Sequence, residues 1–73
     1  MNEKELVSIL LQERVRLCAL LWLMLKDSHA TDDVFQDVVV KALQQRAQLE
    51  SAQHLARWAR TTARHRATDL LRQ

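Results

Sequence analysis

Arg57, Arg60 and Arg64 stand one helical turn apart, and no other residues in this sequence are better placed to do chemistry. That chemistry is electrostatic. A guanidinium is always charged, and its planar fork matches the geometry of a phosphate. Residues three and four apart share a face of a helix, so the spacing predicts a positive ridge. A nucleic-acid backbone rewards such a ridge by releasing counterions. Arg72 belongs to the same side, as do the hydroxyls of Thr61 and Thr68. Thr61 and His65 are candidates for reading bases, because hydroxyl and imidazole groups have directional donors and acceptors. A merely solvated helix face would carry the same pattern.

A second set has the opposite character. Asp33, Gln36, Asp37 and Val40 follow the spacing i, i+3, i+4, i+7, which puts them on one helix face. A patch of carboxylate, amide and aliphatic groups suits a protein surface that bears arginines. A solvated helix start is again the plainer alternative.

Catalysis is not expected. His29, His54 and His65 fall in different segments, with no i, i+4 pair to build a zinc site. There is no glycine-rich loop to cradle a phosphate. No catalytic residue, metal or cofactor is therefore assigned. Cys18 is the one cysteine and lies in an apolar run, which predicts a buried structural thiol in a reducing cytoplasm.

These residues need helices to position them. The sequence has 73 residues, enough for one domain, and contains no Gly and no Pro, so tight β-turns have little to build on. Leu, Ala, Gln and Arg dominate, and all favour helix. An all-α fold follows, a compact three-helix bundle. The first helix runs from about Glu3 to Lys26, with Leu6, Ile9, Leu10, Val15, Leu17, Leu20, Leu21, Met24 and Leu25 at helical spacing. Its second half is apolar nearly all round, so it is buried on several sides or keeps one side for a partner. Leu17 to Leu25 is about half a membrane span, which needs roughly 18 or more apolar residues, and neither a span nor a signal peptide is expected.

The second helix runs from about Thr31 to Gln45, capped by Ser28 or Thr31. Its apolar stripe is Val34, Phe35, Val38, Val39, Ala42 and Leu43. Residues 46–50 form a loop. The third helix starts at the cap Ser51 and carries Leu55, Trp58, Ala59, Thr62, Ala63 and Leu70 inward. Phe35, Val38, Leu55 and Trp58 are expected at the core. Arg66 falls among the apolar positions, so its stem should pack while its head reaches out. The charge splits along the chain. Residues 1–43 hold five basic against seven acidic side chains, and residues 44–73 hold six arginines against two acids. Such a split points to two different partners.

The order of these features resembles region 2 of the ECF-type sigma factors of bacterial RNA polymerase. Asp33, Gln36 and Asp37 match the family's acidic motif, and Lys41-Ala42 follows at the right distance. After the loop, Trp58, Arg64, Ala67, Asp69 and Arg72 match its last motif in type and spacing. The resemblance covers about residues 6–73. It implies that Asp33, Gln36 and Asp37 dock on the clamp coiled coil of the polymerase beta-prime subunit. It also implies that Arg64 and the loop 46–50 engage the −10 promoter element. An anti-sigma factor is a further partner the family allows, and no membrane is implied.

The sequence departs from the family pattern at four places. His65 stands where Asn is usual, Arg60 where an aromatic is common, Thr61 for an Arg and Arg66 for an apolar residue. Single strands are commonly held by stacking on aromatics. This sequence has no Tyr, and Trp58 is assigned to the core, so backbone contact is better supported than stacking. The family's second DNA-binding domain, region 4, has no counterpart here, so the sequence reads as an excised domain of a longer protein. Two other readings stand beside this one: an autonomous helix-turn-helix binder of duplex DNA, and a helical interaction module with no nucleic-acid role.

Overall fold

The structure, a computed structural model, describes all 73 residues. Three α-helices form it: α1 (Glu3–Leu25), α2 (Ser28–Gln44) and α3 (Ala52–Leu71), with a short 3-10 turn at Arg46–Gln48 between the last two. There is no strand. At about 1.5 Å per residue, α1 alone spans about 35 Å, and it sets the long dimension of the 33 × 20 × 17 Å particle. Both other helices pack chiefly on α1.

Each helix begins at a side chain that accepts a backbone N–H. Asn2 Oδ1 accepts from Glu5 N at 2.8 Å, and Glu5 accepts in return from the Asn2 amide at 2.9 Å. Asp27 Oδ1 accepts from Ala30 N at 2.9 Å, and Ser51 Oγ accepts from His54 N at 3.0 Å. Residue type favours Ser28 or Thr31 as the second cap, and the structure corrects this to Asp27. A carboxylate suits the positive end of a helix dipole better than a hydroxyl, and it lengthens the helix by a turn. Thr31 thereby moves to the interior, where its Oγ1 is buried with no hydrogen-bond partner.

α1 ends on Lys26, whose φ of 54° is left-handed. That conformation usually falls to glycine; here a lysine adopts it and its N–H donates to the Trp22 carbonyl at 2.8 Å. Only Lys26 and Asp27 separate α1 from α2, and so short a link folds the two helices back as neighbours.

One contiguous core fills the space between the helices. α1 contributes Leu6, Leu10, Leu17 and Leu21; α2 contributes Val34, Phe35, Val38 and Ala42; α3 contributes Leu55, Ala59, Ala63 and Ala67. Leu49 of the inter-helix loop is buried with them. The buried seam of α3 thus repeats strictly every four residues, and after Leu55 it is all alanine. Small side chains there let the helices approach closely. Arg14 lays its guanidinium over the Phe35 ring, 5.4 Å from the centroid, and closes the α1–α2 seam from outside.

Several expected core positions lie elsewhere. Val15 is 79% exposed, and Leu11 and Trp22 are exposed on the same side, so α1 keeps an apolar outer face, with Leu23 exposed about a quarter turn from it. Trp58 and Leu70 are half-buried and pack on the margin of the core, while Ala67 takes the central place. Cys18 is half-buried rather than enclosed. No helix is long and apolar enough to cross a membrane.

Candidate nucleic-acid and protein interfaces

The basic ridge belongs to α3. Its inner side is held by Leu55, Ala59, Ala63 and Ala67, which leaves Arg57, Arg60, Thr61, Arg64 and His65 exposed, with Arg72 exposed at the C-cap. The chain has two ion pairs, Arg46–Glu3 and Arg66–Asp37. None of the ridge arginines takes part in either, and none donates a side-chain hydrogen bond within the chain. Their guanidinium donors are all available to a partner. Thr68 differs: its Oγ1 donates to the Arg64 carbonyl at 2.8 Å, so its hydroxyl proton is already used inside the helix.

The loop before α3 is more ordered than its sequence implies. Gln48 N donates to Gln45 O at 2.9 Å, and Leu49 N to Arg46 O at 3.2 Å. Leu49 anchors it in the core, and Arg46 reaches back to Glu3 at 3.4 Å. Gln45, Arg46, Ala47, Gln48 and Glu50 stay exposed around that anchor. Leu49 was legible only as a loop residue, because an isolated leucine has no periodic partners to mark it as core.

The acidic set of α2 is split. Asp33, Gln36 and Val40 are exposed on the outer face, as their spacing requires. Asp37 is half-buried and turns toward α3, where its Oδ2 accepts from Arg66 Nε at 3.1 Å. The head of Arg66 therefore reaches a half-exposed carboxylate at the edge of the bundle, which accounts for an arginine among apolar positions. Asp37–Arg66 is the one ion pair between α2 and α3.

A third feature emerges only from packing. An open groove of about 480 Å³ runs between α1 and α3, lined by Glu13, Arg16, Gln53, Ala56, Arg57 and Arg60. Arg16 was not singled out by spacing, because its neighbours in the groove lie on another helix. No group of His, Cys, Asp and Glu is placed to hold a metal ion.

No curated protein and no solved structure matches this chain. The family model for sigma-70 region 2 matches residues 9–73, which takes in most of α1, all of α2 and α3 and the loop between them. The chain belongs to the sigma-70 region 2 family.

Proposed function

We propose that this chain is the promoter-recognition domain of an ECF-type sigma factor, acting with RNA polymerase in the cytoplasm. Region 2 of a sigma factor works on the polymerase core and on promoter DNA. In this reading, Asp33, Gln36 and Val40 on the outer face of α2 dock on the clamp coiled coil of the beta-prime subunit, with Asp37 at the margin. Arg57, Arg60, Arg64 and Arg72 contact the promoter backbone at the −10 element. Thr61, His65 and the loop 46–50 face the bases. The chain itself performs no catalysis; bond-making belongs to the polymerase.

The observation that carries the reading is the unpartnered state of the ridge. Arg57, Arg60 and Arg64 are exposed together, and no carboxylate of the chain forms an ion pair with them. Like charges one turn apart repel, which disfavours such a ridge unless an anion uses it. The apolar outer face of α1 supports a protein partner besides the polymerase, and an anti-sigma factor is one of suitable kind.

Two measurements test the proposal. The purified clamp coiled coil should retain the chain in a pull-down, and single-stranded −10 DNA should bind better than the same sequence as duplex. Phosphate contacts position a protein and carry little sequence information. Arg60→Ala or Arg64→Ala should therefore weaken binding to all sequences alike, and each should lower the slope of log affinity against log salt by about 0.7 to 0.9. Preference for duplex would support a helix-turn-helix protein instead. Binding to neither target would leave a helical interaction module.

A further inference from the structure

The groove between α1 and α3 has an unusual lining. Arg16 comes from α1, Arg57 and Arg60 come from α3, and all three are exposed. None has an ion pair or side-chain hydrogen bond within the chain. The one acid in the lining is Glu13, which is half-buried, with its Oε2 shielded from water and lacking any donor. Three guanidiniums against one carboxylate leave the groove with an excess of two positive charges. Gln53 adds an amide that both donates and accepts.

We infer that Arg16 is a further phosphate-binding arginine and that this groove carries the phosphodiester backbone of one nucleic-acid strand. The inference rests on the reading of α3 as the promoter-binding helix. It adds a second helix to the site and gives the strand a path, from Arg64 on the outer ridge past Arg60 and Arg57 to Arg16.

Three features favour a strand. Arg57 and Arg60 belong to both the ridge and the groove, so the positive surface is continuous. The groove is open to solvent, so a chain can lie across it, whereas an enclosed pocket would fit a single small anion. Guanidiniums from two helices also approach a backbone from two sides, which fixes its position better than one helix face does. Glu13 sets the local sign of the test. Its carboxylate repels a phosphate passing beside it, so its removal should strengthen binding where removal of an arginine weakens it.

The decisive measurement is an NMR titration of the full 73-residue chain, labelled with ¹⁵N, against a short single-stranded DNA over a chloride series. This method reads weak affinities and locates them. The side-chain Nε–H signal of Arg16 should shift together with those of Arg57 and Arg60. Arg16→Ala, like Arg57→Ala and Arg60→Ala, should lower the slope of log affinity against log salt by about 0.7. Glu13→Gln should tighten binding at least about twofold, the size of a solvent-screened charge–charge effect. Circular dichroism checks that each variant keeps its helices.

If Arg57→Ala and Arg60→Ala lower the slope and Arg16→Ala does not, the groove is wrong and the ridge stands. If none of the three changes the slope, the promoter-backbone reading of α3 falls as well. Unchanged or weaker binding by Glu13→Gln would move the strand away from the groove and overturn the path. Displacement of the DNA by millimolar inorganic phosphate at constant ionic strength would make the groove a small-anion site and overturn the strand.

Discussion

α2 and α3 both carry charged side chains at one-turn spacing on their outer faces, and packing deals with the two faces differently. On α2, Asp33, Gln36 and Val40 remain exposed while Asp37 is drawn into an ion pair with Arg66. On α3, Arg57, Arg60 and Arg64 remain exposed with no partner in the chain. The arginine that does neutralise an acid is Arg66, the one that lies off the ridge and beside the neighbouring helix. Charge available to a partner is thus set by a residue's angle to the next helix, and a count of charges does not reveal it. The acidic face gives up one member to a contact with α3, and the basic face gives up none.

The most damaging way to break this arrangement is from below. Phe35 lies in the core of α2, 6% exposed, with Arg14 over its ring. Phe35→Ala should cost about 3–5 kcal/mol, a large share of the stability of a domain this size. A thermal melt reads it, and a melting temperature equal to wild type would show that α2 is held by other contacts.

Next comes a test of the acidic face that spares the fold. Asp37→Arg would set a cation against Arg66 and confuse docking with stability. Asp33→Arg combined with Gln36→Ala avoids that contact, and it should weaken clamp binding about tenfold. Helicity and melting should be unchanged. Full affinity in the folded double variant would remove this face from the interface.

A smaller effect should run in the stabilising direction. Thr31 Oγ1 is buried with no partner, so its hydroxyl loses water and gains nothing in return. Thr31→Val keeps the shape and removes the polar atom, and it should stabilise the chain by about 1 kcal/mol. Chemical denaturation measures the change; a loss of stability would mean that the hydroxyl is hydrogen-bonded after all.

The smallest effect belongs to the pair that distinguishes the two faces. The Asp37 and Arg66 side chains are 47% and 40% exposed, so solvent screens their attraction. Asp37→Ala should cost roughly 0.2–1 kcal/mol, and the cost should shrink as salt rises. A penalty that persists in high salt would point to packing by the Asp37 side chain in place of charge.

Much of this molecule is legible along the chain. The limits of α1 and the cap of α3 at Ser51 follow from local preferences, because helix propensity and capping depend on residues within one turn. The second cap was misread because Asp27 also serves as the end of the α1–α2 link, and its neighbours Ser28 and Thr31 are equally plausible caps by type. The exposed arginines of α3 were legible because they lie at helical spacing opposite the apolar positions.

What only the tertiary structure decided has one physical cause. A helical wheel assigns each residue a fixed angle, whereas a packed seam can drift across the helix surface. The buried line Leu55, Ala59, Ala63, Ala67 advances by four residues at each step, about 40° beyond a full turn. It therefore ends on Ala67 and leaves Leu70 at the margin. Packing of the helices also sets Asp37 against Arg66 and places Arg16 in one groove with Arg57 and Arg60. By itself the sequence determined three amphipathic helices and the signs of their faces, since those are properties of single segments. Which charges pair within the chain, and which meet across a groove, depends on distances between segments, and only packing sets those.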